Sequence, residues 1–244
     1  MVSQPQDHQT LPPDLGGVIY LETAQVMPTE EALYRLMGNR RRSSPDLQSA
    51  VEAALAEAGT LIRPAAVWSK LGMDSFTAYF PAPLNAQAQA GRAELIGVVC
   101  TIGGTLEERS HTLFAAQEYL QGYLLDQIGS YSVAKTAQLT ADRLRVEHQA
   151  MRWAPGDSAE DWYLTTQRLL FERLPAHLIG VRLTEQNVMI PLKSLSYFLL
   201  VDSGTAGLRC LIPCHRCVWN GSCDKRLRQL PAGTSLPSEP SNRK

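Results

Sequence analysis

The sequence predicts an α+β fold with a small cysteine-rich appendage, and three observations carry that prediction. Short β-patterned runs occupy the first hundred residues and return at Leu195–Val201, a largely helical region from about Leu106 to Met151 lies between them, and four cysteines crowd together after the last strand. The expected division is a disordered lead over 1–14, one domain over 15–205, a Cys-rich metal segment over 206–229 and a disordered tail over 230–244.

The first strand is expected over Gly17–Glu22. Thr29 then caps a helix carrying Leu33, Leu36 and Met37, with Glu30 and Glu31 in the first turn, where the helix dipole favours acids, and Gly38 as its stop. The arginine triplet Arg40–Arg42 reads as a solvated loop. Ser44-Pro45-Asp46 opens a second helix whose apolar face is Val51, Ala54, Leu55 and Ala58, with Gly59 as its stop.

Three strands are expected next, over Leu61–Trp68, Ser75–Phe80 and Glu94–Thr101, with a loop of small residues over 81–90. The third contains the apolar run Leu95-Ile96-Gly97-Val98-Val99-Cys100, the pattern of a central strand covered on both faces, and Cys100 reads as a core thiol. Gly103-Gly104 reads as a plain left-handed turn into the helical region. That region carries Leu113, Ala116, Leu120, Leu124 and Ile128 near a 3.6-residue period and is expected to break at Gly129-Ser130. His111 and His148 are read as ordinary helix residues rather than ligands.

At 244 residues, 44% hydrophobic and 19% charged, the chain has the composition of a globular protein with one sizeable core. A formal charge of −1 argues against attraction to nucleic acid or an anionic membrane. No apolar run approaches the roughly 18 residues of a membrane span, and Met1–Asp14 lacks the cationic and apolar blocks of a signal peptide. The expectations are no nucleic-acid partner, no membrane and a cytoplasmic location.

The stretch from Arg152 to Phe198 organises the rest. It opens Arg152-Trp153-Ala154-Pro155-Gly156-Asp157, passes through an amphipathic segment, and closes on Leu183-Thr184-Glu185, Met189, Pro191 and Ser194-Leu195-Ser196. A turn with an arginine, a short helix and a β segment rich in small hydroxyls can close around a small polar ligand, the Pro-Gly pair letting the chain reverse.

These residues resemble the activation (reactivation) domain of cobalamin-dependent methionine synthase in its stand-alone form. The family's motif is an arginine separated by three residues from a Gly-Tyr pair. Arg152 to Gly156 matches it, and Asp157 stands at the tyrosine position. Looser similarity runs back through Thr101-Ile102-Gly103 and Leu125–Ser130 to about Leu33-Tyr34-Arg35, so the resemblance covers most of the chain.

The resemblance implies a twisted, largely antiparallel sheet packed with long helices, and S-adenosylmethionine as cofactor. It assigns Arg152, Pro155, Gly156 and Asp157 to the cofactor turn, Ser194 and Ser196 to the hydroxyl-bearing strand, and Asp142 to a glutamate that contacts the cofactor. A guanidinium grips a carboxylate through two parallel hydrogen bonds, and an acid can hold the amino group or ribose. Trp153 and Trp162 offer aromatic faces to a sulfonium. A carboxylate at 157 only accepts hydrogen bonds, where a phenol also donates. In the family the methyl group passes to an inactive corrinoid while an electron arrives. The chain lacks the Asp-x-His-x-x-Gly pattern that supplies cobalamin's lower ligand, so cobalamin is expected on a partner, a corrinoid protein or a truncated methionine synthase, with an electron-donor protein besides.

Cys210, Cys214, Cys217 and Cys223 form C-x3-C-x2-C-x5-C, short loops that close around a metal at little entropic cost. Four thiolates suit a tetrahedral zinc or a 4Fe–4S cluster, with His215 as a substitute ligand. The first three also copy the spacing of radical S-adenosylmethionine enzymes, but those place the motif early in a barrel and leave one iron open, which a fourth cysteine closes. Some stand-alone relatives of the activation domain end in a similar tail, which favours an iron–sulfur electron relay. Two functions result: an activator working in trans, or a non-catalytic binding module with a structural zinc.

Overall fold

The computed structural model describes residues 15–38, 44–72, 93–148, 150–153 and 160–202. The expected strand at Ser75–Phe80, the arginine triplet and the whole Cys-rich segment lie outside the described residues.

The uninterrupted apolar run of β3 (Ala93–Thr101) demands cover on both faces, and it forms the middle of a five-stranded sheet of order β1-β2-β3-β7-β4. The other strands are β1 (Leu15–Tyr20), β2 (Ala65–Leu71), β4 (Ala150–Trp153) and β7 (Ser194–Asp202). All four pairings are antiparallel. A two-stranded hairpin of β5 (Arg182–Leu183) and β6 (Met189–Ile190) stands apart, its turn made by Asn187 at φ 60. The expected architecture, α+β with a largely antiparallel sheet and long helices, is the observed one.

Five helices cover one face or its margins: α1 (Thr23–Val26), α2 (Glu30–Leu36), α3 (Pro45–Leu61), α4 (Thr105–Ala115) and the 30-residue α5 (Tyr119–His148). Their apolar faces meet in one cluster that includes Leu33, Val51, Ala58, Ile102, Leu106, Leu113, Leu124 and Ile128. The opposite face is covered by α6 (Glu160–Arg173) and a 3-10 turn at Ala176–Ile179, where Leu170, Leu174 and Ala176 pack on Val67, Leu95, Val99 and Phe198. Side-chain alternation along the strands thus feeds two cores, one on each side of the sheet. A Cβ on Gly97 would lie 2.4 Å from Leu170 Cδ1, so the bare backbone there admits α6.

Local signals set several boundaries as expected. Thr29 Oγ1 accepts from the Ala32 amide at 3.2 Å, Ser44 Oγ accepts from the Leu47 amide at 3.2 Å with Pro45 in the first turn, and Gly38 adopts φ 72 after α2. Gly103, at φ 81, makes the left-handed turn into α4.

Four expectations are corrected. Gly59 does not stop α3, which runs to Leu61 and ends at Ile62, because burial of Ile62 and Ala58 anchors that last turn. The strand expected from Leu61 therefore starts at Ala65. The helical region does not break at Gly129-Ser130: Gly129 lies inside α5, where a Cβ would come within 2.8 Å of Leu106 Cδ2, so the glycine serves helix packing. The break falls at 116–118, with Gln117 at φ 65. Finally α5 ends at His148, and residues 150–153 are strand rather than helix.

Candidate functional site

Among the described residues, the end of the sheet where β7 begins gathers several polar side chains whose partners lie far away in sequence. Thr101 closes β3 and pairs with Ser194, the first residue of β7. Both are buried, and the Ser194 hydroxyl donates to Thr101 Oγ1 at 3.0 Å. Thr101 in turn donates to the Lys193 carbonyl at 3.3 Å and accepts from the Gly103 amide at 3.0 Å. The Thr101 oxygen thereby uses its one proton and both lone pairs.

The residues before Ser194 are held from the helical side. Glu107 Oε2, in the first turn of α4, accepts from the amides of Leu192 at 2.8 Å and Lys193 at 3.2 Å. Lys193 Nζ lies 2.7 Å from Asp126 Oδ1 and donates to Ser130 Oγ at 2.8 Å, both on α5. Asp126 and Ser130 stand one helical turn apart, so they share a face. Ser196, two residues into the strand and opposite Val99, is half-buried.

β4 lies beside β7 at the sheet edge, with Arg152 opposite Leu199 and Trp153 opposite Phe198. Because the pair is antiparallel, β4 runs toward the end of β7 that carries Ser196 and Ser194. Leu199 is three residues from Ser196, about 10 Å along an extended strand. In register, Trp153 falls in phase with Ser194, Ser196 and Phe198, and Arg152 with Leu195, Tyr197 and Leu199. The sheet makes the arginine's strand and the serines' strand immediate neighbours, but the register sets Arg152 and the two serines in opposite phase, so it does not bring them to one face.

Asp142 sits on α5, 46% exposed, and pairs with Arg145 at 3.0 Å across one helical turn. Among the described residues no hydrogen bond or ion pair joins it to Ser194 or Ser196. Pro155, Gly156 and Asp157 lie outside the described residues, as do Cys210, Cys214, Cys217 and Cys223. Among the described residues no cluster of His, Cys, Asp and Glu has the make-up of a metal site. His148 packs against Trp68, ring centroids 4.9 Å apart.

Sequence reasoning passed over Glu107 and Lys193. The one available signal was the Asp126/Ser130 spacing, and nothing in the chain says that a lysine 63 positions later meets that face.

The fold and its polar strand end define a class: an α+β domain with a five-stranded antiparallel sheet crossed by one long helix. Its particular likeness is to the crystal structure of the MetH reactivation domain bound to AdoHcy. That structure matches with a TM-score of 0.51 at 14% identity, over 84% of this chain and 85% of the other. The chain has the fold of that reactivation domain, and the resemblance read from Arg152 to Ser196 holds at the level of the fold. No protein-family model and no curated protein matches the sequence. No helix among the described residues is long and apolar enough to cross a membrane.

Proposed function

We propose that this chain is an S-adenosylmethionine-binding activator that supports reductive methylation of a corrinoid protein, or of a methionine synthase, in trans. The observation that carries the reading is the reactivation-domain fold, in which β4, the strand that bears Arg152, pairs with β7 at the sheet edge. A related fold holding AdoHcy, the demethylated form of the cofactor, supports the same ligand class here.

The donor set suits that ligand. Arg152 offers a planar fork for the amino-acid carboxylate, and Pro155 and Gly156 are residue types that let a backbone approach a ligand closely. Asp142 and Asp157 are acceptors for the cofactor's amino or ribose groups. When bound, the cofactor supplies the methyl group and the partner's corrinoid receives it. The chain's own residues bind and orient, which is where its catalytic contribution lies. Cys210, Cys214, Cys217 and Cys223 would hold a 4Fe–4S cluster relaying an electron from a donor protein, the thiolate set being right for iron.

Isothermal calorimetry with S-adenosylmethionine tests the reading. The expected result is measurable binding by the wild type and at least about tenfold weaker binding by Arg152→Ala, the loss of a charge-assisted bidentate contact. The absence of heat with either protein would favour the second reading, a non-catalytic module with a structural zinc. Two observations speak for that second reading: Asp157 stands at the tyrosine position, and the Ser194 hydroxyl is already engaged by Thr101.

A further inference from the structure

We infer that the long helix α5 is built in two halves, and that the second, Ser132–His148, opens from the sheet together with the edge strand β4 while the first stays in place. The halves differ in what ties them to the rest of the fold.

The first half, Tyr119–Tyr131, is fastened by large apolar side chains and by partners on other elements. Leu124, Leu125 and Ile128 are fully buried in the helical core. The Ser110 hydroxyl of α4 donates to the Gly122 carbonyl at 2.9 Å, and Lys193 reaches both Asp126 and Ser130. The second half carries small side chains on its buried face: between Val133 and Leu144 the buried residues are Thr136, Ala137 and Thr140. Its charged pairs, Asp142 with Arg145 and Arg143 with Glu147, lie within the helix and so do not tie it to the sheet.

Two hydroxyls in this half work against the closed arrangement. Ser132 Oγ and Thr140 Oγ1 are fully buried, and neither has a hydrogen-bond partner. A buried hydroxyl without a partner bears its whole desolvation cost, which opening to water relieves. Thr136, equally buried and one turn from each, is satisfied: its hydroxyl donates to the Ser132 carbonyl at 2.8 Å. Opening is opposed by Leu144, by the Tyr197 phenol on the Ala137 carbonyl, and by the His148 ring 4.9 Å from that of Trp68.

The edge strand belongs to the same unit because β4 begins at Ala150, two residues after α5 ends. Among the described residues, β7 is its one strand neighbour. Arg152 stands on β4, so under the cofactor reading above a ligand gripped there favours the closed arrangement. The opening itself does not depend on that reading.

Amide hydrogen exchange of the full chain without ligand tests the inference, on wild type, Thr140→Val and Thr136→Val. In the wild type, amides over 133–148 are expected to exchange at least about tenfold faster than those over 122–131, because a helix of this length lifted from its packing is marginal in water. The protected amides of β4 should share the rate of 133–148 and its dependence on low denaturant. Thr140→Val keeps the shape and removes the unpartnered hydroxyl, so exchange over 133–148 should slow about fivefold. Thr136→Val, the same change at a satisfied hydroxyl, should not slow it. Equal rates in the two halves of the wild type overturn the inference. So does a Thr140→Val variant that exchanges as fast as wild type or faster, which would mean that water or another group already serves that hydroxyl. Equal slowing in both threonine variants overturns the role of the unpartnered hydroxyl, and a separate rate for the β4 amides overturns the joint opening.

Discussion

The phenol of Tyr197, in β7, donates a 3.0 Å hydrogen bond to the carbonyl oxygen of Ala137 on α5, with both residues buried. It is a polar pin through an apolar layer, and it sets where the long helix lies along the strand. Removing the hydroxyl takes a buried donor from a carbonyl that keeps a second lone pair for its own helix. Tyr197→Phe is therefore expected to cost about 1–2 kcal/mol, read as a lowered denaturant midpoint at unchanged slope. An unchanged midpoint would show that apolar packing alone seats the helix.

On the other face, Gly97 is the point at which α6 meets the central strand. A Cβ there would fall 2.4 Å from Leu170 Cδ1 and 2.6 Å from Leu71 Cδ1. Gly97→Ala should destabilise by about 1–3 kcal/mol through overpacking. Leu170→Ala alone should cost about 2–5 kcal/mol by leaving a cavity. The double variant should be more stable than the sum of the two losses, because the new methyl occupies space that the leucine vacates. Strict additivity in denaturation would contradict the contact.

The start of α3 offers a cleaner local test. Ser44 accepts from the Leu47 amide at 3.2 Å, and Ser44→Ala leaves that amide without its cap. The expected loss is about 1 kcal/mol, whereas Ser44→Gly should lose only a few tenths, since glycine leaves room for water to serve the amide. A thermal melt of the two variants side by side decides it.

The cysteine segment makes a prediction in solution. Anaerobically purified protein should carry iron and sulfide and absorb near ~400 nm, as thiolate-bound iron does. Cys217→Ser should lower metal content and absorbance while leaving the hydrogen-exchange pattern of residues 93–148 intact. A colourless protein with one zinc per chain would remove the electron relay from the proposal.

Much of the fold was legible because much of it is decided locally. Thr29 and Ser44 sit before helices with a donor three residues on, and a hydroxyl at that distance caps whatever the rest of the chain does. The run from Leu95 to Cys100 has no polar side chain to offer water, so a central position was its one stable outcome. The glycines misled for the opposite reason. Gly59 and Gly129 look like punctuation in a linear reading, yet Ile62 and Leu106 reward a continued helix at those points. Gln117, at φ 65, ends a helix with no glycine to announce it.

The sequence by itself determined the α+β class, the central strand and two helix starts. Those features rest on side-chain periodicity, capping and backbone stereochemistry, which neighbours in the chain settle among themselves. Only the tertiary structure decided that β4 lies against β7, that Ser194 is engaged by Thr101, and that Lys193 is anchored on α5. Each of those is a meeting of groups about 50 to 90 residues apart, and its energy exists only once the intervening chain has closed the distance.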